Sequence, residues 1–252
     1  MGYITSGGAV PSYVAPGYTE AQLVDKVKIR MDEIDHNAVI TVGTVDNYPI
    51  TTMITNILNE CKTDVLMNAP MALLPKAKII ATNTGTDVVV TERPEIDAAE
   101  IEMPDDTLRI AAFHNEFWRK PVTKIHPADS LVLSRQNYQY TRATAKTPAV
   151  VLVDGTTYLA FPYSPHIIET EAVSDDDSGD DSSSDSGDTP AEPEYGYGDF
   201  TIYYVSSCAR YEDLSDKAIE ALCWDCAAKV FAAMGMTENF NRCNELYQAA
   251  LK

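Results

Sequence analysis

The sequence contains no run of about 18 apolar residues, the length that a membrane-spanning helix needs. Its N-terminus lacks the basic and apolar regions of a signal peptide. The five cysteines are an odd number in a chain of 252 residues, which argues against a framework of disulfides. We therefore expect a soluble protein of a reducing compartment.

Basic residues are scarce. Lysine and arginine number 19 against 38 acidic residues, which gives a net charge of −19. Eleven of the acids lie between residues 169 and 194, and without them the charge of −19 becomes −8. Because gripping phosphates requires clustered cations, an acidic chain is a poor candidate for binding nucleic acid. It can still line a channel through which DNA slides without being trapped.

The chain also lacks the short motifs of common enzyme classes, namely G-x-S-x-G, Walker A, G-x-G-x-x-G and H-E-x-x-H. Cys223 and Cys226 form a C-x-x-C motif inside a predicted helix, and no fourth ligand follows Cys243. Packing therefore accounts for these thiols better than a metal or redox site does. The four histidines are scattered, at His36, His114, His126 and His166. We expect no enzymatic activity, no cofactor and no metal.

The two ends of the chain are predicted to be helical. Residues 1–18 read as an extended arm, whose tyrosines Tyr3, Tyr13 and Tyr18 suggest contact with a neighbouring subunit. Thr19 and Gln22 form a capping box before a predicted helix over 20–35. Apolar spacing predicts further helices over 50–69, from about residue 215 to Gly235, and from Thr237 onward.

The middle of the chain is predicted to be rich in β-strands. Its strongest signal is a hairpin, in which Asp154-Gly155 separates strands over 149–153 and 156–160. A short helix is predicted over 127–136. The acidic insert 169–198 contains a low-complexity tract, 174–194, without large apolar residues, which predicts disorder.

The predicted fold class is α+β. Helices from 19–80 and 206–252 would form a bundle, and 81–205 would form a sandwich-like or barrel-like β domain that carries the disordered acidic loop. One basic and aromatic concentration lies in this middle region, comprising Arg109, Trp118, Arg119, Lys120 and Arg135. It can be read as a nucleic-acid patch or as a subunit interface, and its Trp and Arg content favours the interface.

The chain resembles ring or adaptor proteins of the head-to-tail connector in crAss-like Bacteroides phages. The resemblance spans about residues 19–168 and 199–251. Besides the paired C-terminal helices it rests on six segments in order: VKIRMDE (27–33), MALLPK (71–76), MPDD (103–106), FWRKPV (117–122), QNYQYTR (136–142) and KTP (146–148).

The resemblance implies a structural virion protein that is assembled in the host cytoplasm. It would form a twelve-subunit ring below the portal, with DNA passing through its lumen. Its bundle would contact neighbouring subunits and the portal, and its β-rich part the adjacent ring or tail protein. Two other classes stay open from the sequence: a binding protein on the tail or capsid surface, and a hydrolase or metal enzyme with an unrecognised set of catalytic residues.

Overall fold

A computed structural model describes residues 17–34, 50–82, 88–164, 166–167 and 195–252. The arm up to residue 16 and the low-complexity tract 174–194 lie outside these ranges. The helices are α1 (Glu20–Ile34), α2 (Ile50–Asn68), α3 (Leu131–Arg135), α4 (Asp216–Ala233) and α5 (Thr237–Ala250). The strands are β1 (Ala77–Thr82), β2 (Val88–Arg93), β3 (Ala98–Glu102), β4 (Thr107–Asn115), β5 (Ile125–Pro127), β6 (Ala149–Asp154), β7 (Thr157–Phe161), β8 (His166–Ile167), β9 (Tyr195–Gly196) and β10 (Phe200–Ser206).

The chain divides into two compact units. Of the described residues, the first contains 17–34, 50–77, 106–109 and 204–252, and the second contains the described parts of 78–105 and 110–203. In the first unit, apolar faces of α1, α2, α4 and α5 share one core. The α+β class is confirmed, because this helical unit accompanies a sheet of eight strands.

The predicted capping box begins α1. The backbone N–H of Thr19 donates to Gln22 Oε1 over 2.9 Å, and the backbone N–H of Gln22 donates back to Thr19 Oγ1 over 3.4 Å. These bonds satisfy amide groups that have no partner within the helix. Leu23, Val27 and Met31 follow at helical spacing and are fully buried. The predicted helix 20–35 is thus confirmed, ending at Ile34.

Helix α4 lies at the centre of the first unit and buries eleven of its eighteen residues. The sequence offers Asp213 or Ser215 as its N-cap, and in the structure Ser215 caps it by accepting from the Ala218 N–H. Ion pairs tie α4 to the other helices: Arg30 contacts Glu220 over 2.8 Å, and Lys229 contacts Glu60 over 3.0 Å. These partly exposed pairs add polar contacts at the edge of the shared core.

The eight strands are ordered β4-β10-β1-β2-β3-β7-β6-β5. Strands β2, β3, β7 and β6 are antiparallel neighbours, whereas β1 with β2 and β5 with β6 run parallel. The hairpin of β6 and β7 is confirmed, with Gly155 at φ 47° in its turn. The predicted helix over 127–136 is wrong at its start. Pro127 ends β5, and the helix begins only at Leu131 and spans five residues.

A separate pair of short strands stands at the base of the acidic insert. The backbone of β8 pairs with that of β9, so that His166 lies opposite Gly196. The predicted disorder of 174–194 falls outside the described residues. No helix in the described part of the chain is long and apolar enough to cross a membrane.

Candidate interaction surface

The structure describes five of the seven predicted interface residues. Tyr3 and Tyr13 lie outside the described residues. Tyr18 stands just before α1, is half-buried and packs against the core of the first unit, with Lys26 Nζ 4.1 Å from its ring centroid. Part of the Tyr18 ring is thus covered by the chain's own residues.

Trp118 is a core residue, which revises its predicted role at an interface. Its side chain is only 3% exposed. The indole Nε1–H donates to the Pro162 carbonyl over 3.0 Å, and the ring packs edge-on against Phe200 at 5.5 Å between centroids. A buried indole with its single donor satisfied has little left to offer a partner. The next two residues, Arg119 and Lys120, are exposed.

Arg109 has a structural role. Its guanidinium donates to the carbonyls of Leu66 and Ala69, over 3.2 and 2.7 Å, at the end of α2. The last carbonyls of a helix lack intrahelical partners and carry partial negative charge, so a cation there satisfies and stabilises the terminus. The nucleic-acid reading of this basic group therefore loses one of its cations.

Arg135 belongs to a hydrogen-bonded loop that we call the 131–147 loop, which starts with α3. Gln136 organises it: the side-chain Nε2 donates to the Val132 carbonyl over 2.8 Å, and Oε1 accepts from the Ala143 N–H over 2.9 Å. The Thr141 hydroxyl donates to the Arg135 carbonyl over 3.3 Å. These bonds satisfy backbone groups locally and give the loop a defined shape.

The 131–147 loop exposes unusually large apolar and aromatic side chains. Leu131 is 69% exposed, Tyr138 is 67% exposed and Tyr140 is 97% exposed. Arg135 and Arg142 are exposed on the same loop. Tyr and Arg are the residue types that contribute most to binding energy at protein interfaces. This loop is therefore the best candidate interaction surface among the described residues.

Tyr138 and Tyr140 are not among the interface residues predicted from the sequence, where they stand only within the segment QNYQYTR that carries the resemblance. The sequence does carry one sign that they are exposed. Both tyrosines stand among polar residues beyond the predicted strands and helices, where no apolar face could bury them. Arg135 is the one residue of this loop among the predicted interface residues.

The cysteines pack inside the first unit. Cys61, Cys223, Cys226 and Cys243 are buried, whereas Cys208 is exposed. A hydrogen bond with Cys226, together with burial, raises the pKa of Cys61, and burial raises the pKa of Cys223 to about 12. Thiols held in the neutral form are weak nucleophiles and weak metal ligands. Within the described residues, no group of three or more His, Cys, Asp or Glu side chains could hold a metal ion.

The four histidines of the chain lie on different segments. His114 and His126 are half-buried on β4 and β5, His36 lies outside the described residues, and only the backbone of His166 is described. A scan against protein-family models and a search of curated proteins both found no match for this chain.

Proposed function

We propose that this chain is a structural virion protein, a subunit of a twelve-fold ring that connects the head of a tailed phage to its tail. The observation that carries the proposal is the 131–147 loop. It is held by its own hydrogen bonds and presents Leu131, Tyr138 and Tyr140 to solvent beside two arginines. A surface that is ordered before binding loses little conformational entropy when a partner docks.

A ring subunit needs two different surfaces that meet across each contact, because rotation closes the ring with a heterologous interface. In this proposal the 131–147 loop is one of them, and the N-terminal arm with Tyr3 and Tyr13 extends the contact to a neighbour. The bundle of end helices would contact the portal, and the β-rich part would contact the adjacent ring or tail protein.

The charge of the chain supports a channel role. The net charge of −19 and the paucity of basic residues give the subunit little affinity for phosphates. A ring that surrounds passing DNA would benefit from this, since an acidic wall does not retain the polymer. Such a subunit would be assembled in the host cytoplasm and kept in the mature virion.

The test compares oligomeric state by native mass spectrometry and negative-stain microscopy, with and without the portal protein. Wild-type protein should form twelve-fold rings, alone or on the portal. The double variant Tyr138→Ala/Tyr140→Ala should not, because two interface tyrosines at about 2 kcal/mol each weaken association by roughly a thousandfold. Tyr203→Ala, which removes a tyrosine that is 38% exposed on β10, is the matched control and should still form rings.

A wild-type protein that stays monomeric and does not bind the portal would refute the ring proposal. Binding to a tail or capsid surface without ring formation would instead support the surface-binding class. Ring formation by the double variant, with melting temperature unchanged, would show that the 131–147 loop is not the interface.

A further inference from the structure

The second unit contains a pocket of about 300 Å³ that no part of the proposed function uses. Its walls combine two carboxylates, two tyrosine rings, a hydroxyl and a guanidinium. They come from Glu92, Asp97, Arg142, Tyr163, Ser164 and Tyr197. A volume of this size holds one long side chain or a small ligand.

The walls of the pocket are fixed by local contacts. Asp97 follows a 3-10 turn in the left-handed conformation, with φ 55°, and its Oδ1 accepts from the Ser164 hydroxyl over 2.5 Å. The Tyr163 N–H donates to the Asp97 carbonyl over 3.1 Å. Tyr163 stacks on Tyr197 at 4.8 Å between centroids, and the Tyr197 hydroxyl hydrogen-bonds to Glu92. The pocket is therefore shaped before any ligand arrives.

Neutral hydroxyl groups are the hydrogen-bond donors to both carboxylates of the pocket. Glu92 and Asp97 accept from neutral hydroxyls, and neither forms an ion pair with any residue that the structure describes. A hydroxyl donor stabilises a carboxylate but leaves its full negative charge in place. Burial raises the pKa of Tyr163, and the nearby charge of Glu92 raises it further. Two carboxylates in one pocket give it a negative potential. Arg142 reduces that potential without cancelling it, since two carboxylates face one guanidinium.

We propose that this pocket binds the basic side chain of a lysine or arginine from a protein partner. Carboxylates supply charge-assisted hydrogen bonds to a guanidinium or an ammonium, and tyrosine faces attract cations. The identification of the occupant as part of a protein rests on the proposed assembly function. Arg142 supports this identification, because it lines the pocket and its backbone N–H donates to the Tyr138 carbonyl over 3.0 Å. The pocket therefore adjoins the 131–147 loop, which exposes Tyr138 and Tyr140.

The test is an NMR titration that follows the ring signals of the tyrosines. The probes are the capped tripeptide acetyl-Gly-Arg-Gly-amide and its citrulline counterpart, which has nearly the same shape but no charge. The arginine peptide should shift the Tyr163 and Tyr197 signals saturably, and the citrulline peptide should not. Glu92→Gln and Asp97→Asn keep the hydrogen-bond geometry and should each weaken binding about tenfold, because a charged acceptor is replaced by a neutral one.

Two further variants sharpen the result. Glu95→Gln removes an exposed acid that does not line the pocket and should leave the affinity unchanged. Arg142→Gln removes the competing positive charge and should raise the affinity about two- to threefold. Equal shifts with both peptides, or equal losses in Glu92→Gln and Glu95→Gln, would overturn the proposal. The titration needs no ring, so its failure is distinguishable from a failure of ring formation, which microscopy measures separately.

Discussion

Deleting residues 174–194 should leave the fold intact and stabilise it slightly. The pairing of β8 with β9 and the stacking of Tyr163 on Tyr197 already hold the two ends of the insert side by side. The loop between these strands covers residues 168–194, and the deletion shortens it from 27 residues to six. Closure entropy scales with the logarithm of loop length, so the shorter loop should add about 1 kcal/mol to the free energy of unfolding.

Urea denaturation followed by far-ultraviolet circular dichroism measures this change. The matched control keeps the length of the segment and replaces its nine acids with Asn and Gln, which separates the effect of length from that of charge. Only the deletion should raise the free energy of unfolding, because only it shortens the loop. A loss of more than about 1 kcal/mol, or of the cooperative transition, would show that 174–194 packs against the fold and would refute the reasoning.

Three other changes test interactions inside one unit or the other. Asn115→Leu should lower the free energy of unfolding by about 3 kcal/mol in urea titrations. It removes the amide that donates to the buried Gly198 carbonyl and accepts from the Phe117 N–H. A loss below about 1 kcal/mol would contradict this. Thr19→Val removes the capping hydroxyl of α1 and should cost about 1 kcal/mol by the same assay, whereas an unchanged midpoint would show that the cap is dispensable. Burial raises the pKa of Cys243 to about 11 from an ordinary value of 9.0. The stability that its neutral thiol contributes is therefore complete below pH 9 and is lost as the pH rises toward 11. Urea midpoints measured from pH 8 to pH 11 should fall less steeply in Cys243→Ala than in wild type.

The sequence predicts elements whose signals are local. The capping box of Thr19 and Gln22 and the Asp154-Gly155 turn each act over a few residues, and both are present in the structure. The turn also shows a limit of such signals, because the pairing of β6 with β7 contains a register shift between Leu152 and Asp154 that no pattern predicts.

Features that depend on distant residues escape prediction. Trp118 looks like an interface residue by composition, yet its burial depends on the Pro162 carbonyl, 44 residues away, and on the ring of Phe200. The helix predicted to start at Pro127 fails because pairing with β6 extends the backbone of this segment as β5. Strand β1 was not predicted, since its six residues carry too short a pattern. The pocket around Asp97 joins four separate stretches of chain and has no sequence signal at all.

The discontinuous division of the chain has a consequence for the order of events during synthesis. The second unit is complete once residue 203 has been made, but the first unit also requires α4 and α5. The Arg30–Glu220 pair joins residues 190 positions apart. At ribosomal rates, α1 and α2 wait roughly ten seconds or more for the helices that cover them. Their apolar faces, which carry Leu23, Val27, Ile54 and Leu58, are open to chaperones and to other nascent chains during that interval. The synthesis of α4 and α5 thus decides when the apolar faces of α1 and α2 are covered and can no longer misassemble.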